Sequence, residues 1–302
     1  MKQKYFSQLH LRSTGKGNKK MNKAIDTFTL KNGVEIPCIG FGTWQTPDNE
    51  AAYTAIETAI AAGYRHIDTA KIYKNEESVG NAIKKSIVPR EELFITGKVW
   101  NTDRGYETTL MACKESLKKM QLEYFDLYLI HWPASFNNYE NWEQINVDTW
   151  KAMTDLYKAG MVKSIGVSNF MPHHLRALMD MEIVPMVNQI EFHPGQMEQE
   201  TVHFCRKYNI VVEAYSPLGT GRMLDNAVLK SIGKKYNKTA AQICLRWAVQ
   251  NKVIPLPKSI TPDRIKENIQ IFDFELSADD MDVINSMEYF AGSGHHPDSM
   301  KE

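Results

Sequence analysis

Residues 125–132 have the sequence Phe-Asp-Leu-Tyr-Leu-Ile-His-Trp, a short run of aliphatic and aromatic side chains that is typical of a strand buried on both faces. The same pattern recurs at 39–42, 66–70, 93–99, 164–169, 187–192, 211–216 and 253–257. Segments with apolar residues at helical spacing separate these strands, at 49–62, 76–87, 106–120, 147–159, 172–181, 196–208 and 240–249, and two more follow the last strand at 264–271 and 279–287. Eight strands that alternate with helices predict an all-parallel sheet.

Such a sheet can close on itself as a (β/α)8 TIM barrel or remain open and doubly wound. We favour the α/β barrel because its usual size fits residues 26–290 and because no linker or change of composition divides the chain. The only candidate for the dinucleotide fingerprint of a doubly wound sheet, Gly40-Phe-Gly42, has Gln45 where a third glycine belongs and is followed by no prompt helix. Ahead of the barrel, Asn32-Gly33 separates two alternating runs, which predicts an N-terminal β-hairpin.

The chain is electrically balanced, with 36 basic and 36 acidic side chains, but its first 23 residues carry seven basic side chains and no acid. We interpret residues 1–25 as a disordered basic leader, in preference to a targeting signal, and residues 26–302 as a single domain. The mildly acidic remainder argues against a nucleic-acid partner, and no apolar run is long enough for a membrane span. The four cysteines form no CxxC pair, so we expect reduced thiols and a cytoplasmic protein.

Three of the predicted strands contain a polar side chain near their C-terminal ends. Asp68 and Lys98 lie in neighbouring strands, and His131 lies near the end of residues 125–132. The C-terminal ends of the strands form the active-site face of a barrel, so we expect these side chains to meet Tyr73, which lies in the loop after Asp68. Each residue alone also has a purely structural explanation, such as a helix cap for Asp68 or a satisfied core histidine for His131.

Together the four side chains suit the reduction of a carbonyl group. A buried charge needs a partner, which favours an ion pair between Lys98 and Asp68. The ammonium of Lys98 should lower the pKa of the Tyr73 phenol and so help it to donate a proton. His131 can donate a hydrogen bond to the carbonyl oxygen, so that Tyr73 and His131 would stabilise the same developing negative charge.

Proton donation alone reduces nothing, so the site needs a hydride source, for which a nicotinamide cofactor is the natural candidate. Its phosphate should dock near the last strands, where Thr261 is a good N-cap and Pro262 a good first helical residue. Lys258, Ser259 and Arg264 surround this helix N-terminus. Their charges and donors suit an additional ribose phosphate and therefore favour NADPH over NADH.

No metal site is expected from the sequence. The adjacent pairs His173-His174 and His295-His296 have no further ligand at a metal-binding spacing, and we interpret both pairs as surface residues. Tyr215, at the end of a predicted strand, offers a flat ring against which a nicotinamide ring could stack.

The chain resembles the aldo-keto reductase family from residue 27 to about residue 290. The resemblance rests on an ordered set of motifs: Gly40-Phe-Gly-Thr43, Asp68-Thr-Ala with Tyr73-Lys-Asn-Glu76, Gly97-Lys98, Leu129-Ile-His-Trp132, Gly166-Val-Ser-Asn169, Asn188-Gln189, Ala214-Tyr-Ser-Pro217 and Ile254-Pro-Leu-Pro-Lys-Ser259. It is similar to the bacterial branch that includes 2,5-diketo-gluconate, methylglyoxal and general aldehyde reductases.

The resemblance implies a role for each matching residue. The catalytic tetrad would be Asp68, Tyr73, Lys98 and His131, with Tyr73 as the acid. NADPH would lie across the strand ends and contact Gly42, Thr43, Ser168, Asn169, Gln189, Tyr215, Ser216, Leu218, Lys258, Ser259, Arg264, Glu267 and Asn268. An aromatic mouth for small aldehydes, α-dicarbonyls and keto sugars would be formed by Trp44, Trp100 and Trp132.

Two other functions remain open at this stage. One is a cofactor-binding regulatory subunit that senses redox state, and the other is an isomerase that uses Lys98 as a Schiff base. A pairing of Lys98 with Asp68 argues against the isomerase, because it would keep the lysine charged. The sequence does not identify the physiological substrate or the favoured direction, and a monomer is expected from the family's habit.

Overall fold

The computed structural model describes Met21 and residues 23–300, and it begins with a hairpin followed by an eight-stranded parallel sheet. The hairpin pairs β1, Thr27–Thr29, with β2, Glu35–Pro37. Each strand of this sheet lies next to the strands that precede and follow it in the sequence. Its strands are β3 Phe41–Gly42, β4 His66–Asp68, β5 Phe94–Val99, β6 Leu127–Ile130, β7 Ile165–Ser168, β8 Val187–Glu191, β9 Val211–Tyr215 and β10 Val253–Pro255.

Backbone hydrogen bonds between the first and last strands close the sheet into a barrel. The N–H groups of Gly40 and Gly42 donate to the carbonyl oxygens of Pro255 and Pro257, each at 3.0 Å. Glycine at position 40 leaves room for the side chains behind it, because a Cβ atom there would lie 2.5 Å from Cδ2 of Leu256 and 2.6 Å from Nδ1 of His66, and both would have to shift. The barrel interior is therefore a packed core, and the C-terminal strand ends form one common face.

Within the described part of the chain, ten α-helices surround the barrel: α1 Glu50–Ala62, α2 Glu76–Lys84, α3 Tyr106–Met120, α4 Trp142–Lys158, α5 Pro172–Met179, α6 Gln199–Lys207, α7 Ala227–Tyr236, α8 Ala240–Gln250, α9 Pro262–Ile269 and α10 Ala278–Asn285. Helix α4 begins five residues earlier than the apolar spacing predicts, and α7 was not predicted. Asn226 starts α7, because its side-chain oxygen accepts hydrogen bonds from the N–H groups of Val228 and Leu229. Among the described residues, no helix combines the length and apolar character that a membrane crossing requires.

The N-terminal hairpin lies at the end of the barrel opposite the strand C-termini. Asn32 Nδ2 donates at 2.9 Å to the carbonyl oxygen of Lys163, which lies two residues before the start of β7. The leader prediction falls mostly on residues 1–20 and 22, which lie outside the described residues. Of the remainder, Met21 is buried, and its carbonyl oxygen accepts a hydrogen bond from Arg246 Nη1 at 2.9 Å.

Candidate active site

A buried lysine at the C-terminal end of the barrel contacts both an acid and a phenol. Lys98 Nζ lies 2.5 Å from Asp68 Oδ1 and 3.3 Å from Tyr73 OH, and it also donates to the carbonyl oxygen of Thr69 at 3.1 Å. The lysine is 1 % exposed. All three N–H donors of the ammonium therefore have acceptors, and the pairing of Lys98 with Asp68 predicted from the sequence is present.

Strand register and a short helical turn bring these groups together. Asp68 is the last residue of β4 and is paired with Thr96 of β5. Since side chains alternate along a strand, Lys98 faces the same side as Thr96, two residues further along. A 3-10 turn at Lys71–Tyr73 then returns the chain over the strand end and places the phenol next to the ammonium.

Burial changes the proton affinity of this cluster in a way that the sequence did not predict. Burial alone would lower the pKa of Lys98, but Asp68 and Tyr73 outweigh it and raise that pKa above its ordinary value. Burial also raises the pKa of the Tyr73 phenol; Lys98 acts in the opposite direction, as expected, without reversing the effect. The expected net lowering of the Tyr73 pKa is thus wrong for this structure, because desolvation of the phenolate dominates.

His131 lies beside the phenol and is uncharged. Its ring centroid lies 5.6 Å from that of Tyr73 and 5.1 Å from that of Trp100, both edge to face. Burial, helped by the charge of Lys98, lowers the pKa of His131 well below its usual value. Its Nδ1 has no hydrogen-bond partner among the described residues. A neutral imidazole carries one N–H, which can donate to a polar group that enters the site.

Three of the predicted NADPH contacts, Ser168, Asn169 and Gln189, form a hydrogen-bonded set beside the tetrad. Asn169 has a left-handed backbone with φ of 63°, and its Nδ2 donates to the carbonyl oxygen of His131 and to Ser168 Oγ. Its Oδ1 accepts from Tyr215 OH at 2.8 Å, which fixes the half-buried tyrosine ring. Gln189 Nε2 donates to Asp68 Oδ2 at 2.8 Å, so this set joins the tetrad directly.

Sequence reasoning missed a buried pair behind the tetrad, His66 and Glu213. Glu213 of β9 is fully buried, and its Oε2 accepts from Gln189 Nε2 at 3.0 Å. Its Oε1 lies 3.7 Å from His66 Nε2, which is 2.9 Å from Thr96 Oγ1. A charged residue in the middle of an apolar strand is the same signal that identified Lys98, and it could have identified Glu213.

The predicted phosphate site lies around the N-terminus of α9. Thr261 occupies the N-cap position, but its side chain makes no capping hydrogen bond, contrary to expectation; its N–H instead donates to Ser259 Oγ at 3.0 Å. Lys258 Nζ donates to the carbonyl oxygen of Gln45 at 3.0 Å, and Arg264 is exposed on the first turn of the helix. The first N–H groups of α9 thus have no side-chain cap from Thr261.

The remaining predicted cofactor residues lie at the same end of the barrel. Gly42 approaches the last strand so closely that a Cβ atom would lie 3.1 Å from the carbonyl oxygen of Leu256, while Thr43 Oγ1 donates to the carbonyl oxygen of Asp68. The others differ in exposure and partners. Ser216 and Leu218 are half-buried, Asn268 is buried, and Glu267 Oε1 accepts from Thr239 Oγ1 at 2.8 Å.

The three predicted mouth residues differ in exposure. Trp44 is 47 % exposed, Trp100 is half-buried, and Trp132 is buried with its ring edge to face with that of His295 in the C-terminal segment. That segment is held in place at Ser293, whose hydroxyl donates to Glu191 Oε2 at 2.6 Å.

The interpretation of His173-His174 as surface residues is wrong for His174, which is fully buried. Its Nδ1 accepts from the N–H of Met171 at the start of α5, and its Nε2 lies 3.1 Å from Asp298 Oδ1. His173 Nε2 lies 2.8 Å from the same oxygen. With Nδ1 accepting a backbone proton, neutral His174 carries its own proton on Nε2, and this nitrogen has no hydrogen-bond partner among the described residues, so the hydrogen bond to Asp298 comes from His173. This arrangement attaches the C-terminal segment to α5.

Comparison with known proteins identifies the class to which this fold and this site belong. The Aldo/keto reductase family matches residues 38–288, so the chain belongs to that family. The chain is therefore an oxidoreductase, and the resemblance predicted from its motifs is confirmed.

Two characterised relatives and two solved structures are particularly similar. The chain is 51 % identical over 276 residues to glyoxal reductase of Bacillus subtilis (91 % of this chain, 97 % of the relative) and 43 % identical over 273 residues to methylglyoxal reductase DkgA of Escherichia coli K12 (89 % and 96 %). The crystal structure of MGS-M4, an aldo-keto reductase from a Medee basin deep-sea metagenome library, superposes with a TM-score of 0.86 at 44 % identity (91 % and 100 % covered). A Gox0644 mutant in complex with NADPH gives 0.85 at 40 % identity (93 % and 100 % covered). The predicted (β/α)8 barrel is confirmed.

Proposed function

We propose that this protein reduces small aldehydes and α-dicarbonyl compounds with NADPH, and that Tyr73 donates the proton. The observation that carries the proposal is the buried ammonium of Lys98, which lies 2.5 Å from Asp68 Oδ1 and 3.3 Å from Tyr73 OH. A cluster of this kind is costly to bury, and the C-terminal face of a barrel is where catalytic residues lie.

The strand ends fit a nicotinamide dinucleotide that carries an additional phosphate. Thr261 leaves the first N–H groups of α9 uncapped by its side chain, and Arg264 lies exposed on the same turn, so an anion can bind there. The ring of Tyr215, fixed by Asn169, offers an aromatic face. When bound, such a cofactor supplies the hydride. A structural neighbour holds NADPH, which supports the same assignment here.

The chain's own residues supply the proton and stabilise the developing charge. Because burial raises its pKa, Tyr73 stays a phenol and can give its proton to the carbonyl oxygen as that oxygen becomes negative. The phenolate left behind lies next to the Lys98 ammonium, which stabilises it. Neutral His131 can donate a hydrogen bond to the same carbonyl oxygen from the other side of the site. A proton from solvent then restores the phenol.

The proposed substrate class follows from the mouth of the site and from the relatives. Trp44 and Trp100 present aromatic surface that favours small, uncharged carbonyl compounds. The names of two relatives specify glyoxal and methylglyoxal, which are small α-dicarbonyls. Keto sugars remain part of the proposal because of the family branch that the motifs resemble.

The test is to follow NADPH absorbance with glyoxal, methylglyoxal and a keto sugar as substrates. We expect turnover with the dicarbonyls, and NADPH binding without turnover would instead indicate the regulatory alternative. A variant with Tyr73→Phe controls for the proton donor. We also propose that the protein is a monomer, for which light scattering coupled to gel filtration is the direct measurement.

A further inference from the structure

Glu213 is the most deeply buried acid near the tetrad, and the proposed mechanism gives it no role. It lies in β9, paired in register with Gln189 of β8 and Ile254 of β10, and it is 0 % exposed. Its Oε2 accepts one hydrogen bond, from Gln189 Nε2 at 3.0 Å. Its Oε1 has no hydrogen-bond partner among the described residues.

The amide of Gln189 is held from two sides. Its Nε2 donates to Asp68 Oδ2 at 2.8 Å and to Glu213 Oε2 at 3.0 Å. The reverse orientation would place the amide oxygen 2.8 Å from a carboxylate oxygen of Asp68, where the two would repel each other. Both N–H donors of Gln189 are therefore committed, and only its Oε1 can interact with a bound group.

The surroundings of Glu213 favour its uncharged form. No lysine or arginine of the described residues forms an ion pair with it, and the closest basic group is His66 Nε2 at 3.7 Å. His66 is itself uncharged, because burial and, second, the charge of Lys98 lower its pKa to about 3. An isolated carboxylate without exposure is strongly unfavourable, so the group takes up a proton. Burial, and second the charge of Asp68, raise the pKa of Glu213 to about 8.

We propose that Glu213 is a positioning residue of the reductase site: it holds Gln189 against Asp68 and, by remaining uncharged, leaves Lys98 with Asp68 as its single counter-ion. This inference rests on the proposed function. Glu213 itself touches neither substrate nor cofactor. It acts through Gln189, whose amide oxygen it leaves available for the carboxamide of the bound nicotinamide, and through the charge balance of the tetrad.

Ionisation of Glu213 would add a second negative charge to the cluster. The titratable groups that face it are His66 and Asp68 from β4 and Lys98 from β5, whereas its sheet neighbours in β8 and β10 contribute Gln189 and the apolar Ile254. A second carboxylate would hold the protons of Lys98 and of the Tyr73 phenol more tightly, so the phenol would be a weaker acid. Reduction should therefore slow above the pH at which Glu213 ionises.

The decisive variant is Glu213→Gln, which resembles the protonated acid and cannot ionise. In the infrared difference spectrum of wild type against this variant at about pH 6, we expect the C=O band of a protonated carboxyl group. The matched control is Glu191→Gln. Burial opposes ionisation of Glu191, but hydrogen bonds from His193 and Ser293 lower its pKa. Its difference spectrum should therefore show an ionised carboxylate.

Two further measurements address positioning. Near pH 6, where Glu213 is protonated in wild type, the kcat of Glu213→Gln should lie within about twofold of the wild-type value. Near pH 9, where wild-type Glu213 is ionised, the kcat of the variant should be about three- to tenfold higher than that of wild type. The variant Glu213→Ala loses an acceptor for Gln189, so the Kd for NADPH, measured by fluorescence, should rise about two- to tenfold, whereas Glu213→Gln should change it less than about twofold.

The inference is overturned if the spectrum of wild type against Glu213→Gln shows an ionised carboxylate, or if the two pH profiles superpose. It is also overturned if Glu213→Ala binds NADPH as tightly as wild type. A wild-type protein that binds NADPH but reduces no carbonyl compound would refute the proposed function instead, because the infrared and binding measurements need no turnover.

Discussion

Replacing Asp68 by Asn should destabilise the whole fold, because it removes the counter-ion of a lysine that is 1 % exposed. Removing one partner of a buried ion pair typically costs about 3–5 kcal/mol. The amide oxygen of the substitute can still accept from Lys98, and the carbonyl oxygen of Thr69 at 3.1 Å remains in place. We therefore expect the free energy of unfolding to fall by about 3 kcal/mol near pH 7, the lower end of that range.

The loss should depend on pH in a defined direction. In wild type, Asp68 and Tyr73 raise the pKa of folded Lys98 above its unfolded value. The contribution of the Lys98–Asp68 ion pair to the free energy of unfolding is therefore complete below the unfolded pKa of lysine, about 10.4. It is lost as the pH rises through the folded pKa of Lys98. In Asp68→Asn, Tyr73 alone opposes the effect of burial, and we expect the folded pKa of Lys98 to fall below 10.4 (about the unfolded value). The unfolded state then binds more protons, and stability rises with pH. The deficit should shrink between about pH 7 and about pH 10.

Urea unfolding followed by circular dichroism and tryptophan fluorescence measures this effect, provided that the two signals change together. The matched control is Asp225→Asn, whose carboxylate lies 2.7 Å from Lys230 Nζ but is 93 % exposed, so no measurable change is expected. A double-mutant cycle with Lys98→Met should show that the two losses are far from additive, by about 2 kcal/mol or more, since the double variant buries no unpaired charge. Additive losses, or a deficit equally large at both ends of the pH range, would refute the reasoning.

Three further outcomes follow from the same contacts. The variant Tyr73→Phe should lower kcat by about 10²–10⁴-fold in the NADPH absorbance assay while leaving NADPH binding near normal, because the phenol supplies the proton and is not needed to hold the cofactor; surviving reduction would exclude Tyr73 as the acid. The variant Arg264→Ala should weaken the binding of NADPH more than that of NADH in parallel titrations, because the guanidinium would contact the ribose phosphate that NADH lacks. Equal losses of affinity for the two cofactors would contradict that role. Glu213 has a folded pKa of about 8 against a reference value of 4.5. It therefore lowers stability as pH rises between those values, by up to about 1.4 kcal/mol per pH unit, and Glu213→Gln should gain on wild type over that range in urea unfolding.

Much of the fold is predictable because the strands of a parallel barrel are buried on both faces and therefore consist of continuous apolar runs in the sequence. The hairpin turn at Asn32-Gly33 is likewise recognisable from a short stretch of sequence. Helix α7 was missed because its run of 227–236 contains three lysines and a glycine, Gly233, so its apolar stripe is thin. That glycine packs so closely on the next turn that a Cβ atom would lie 2.4 Å from the carbonyl oxygen of Lys238. This contact is local, between the helix and the residue two positions beyond its end, and it accounts for a glycine at that position.

The site was predictable as far as it consists of unusual residues at strand ends. Asp68, Lys98 and His131 were found because each is costly or atypical within an apolar run. The direction of the pKa shift of Tyr73 was not predictable, because the phenol lies in a loop and its burial depends on the side chains that cover it. The same applies to His174, whose burial results from a backbone hydrogen bond at α5 together with Asp298, far away in the sequence.

Glu213 lies in the middle of β9, so a search for polar residues at strand ends does not find it. Among the described residues around the tetrad, three buried side chains are ordinarily charged, namely Lys98, Asp68 and Glu213. With His66 neutral, one positive charge cannot balance two negative charges, so this buried cluster is neutral only if one carboxyl group holds a proton. Asp68 lies against the ammonium at 2.5 Å, whereas Glu213 accepts from a neutral amide, so the proton belongs on Glu213. The net charge around the Tyr73 phenol is therefore set by Glu213 as well as by the tetrad.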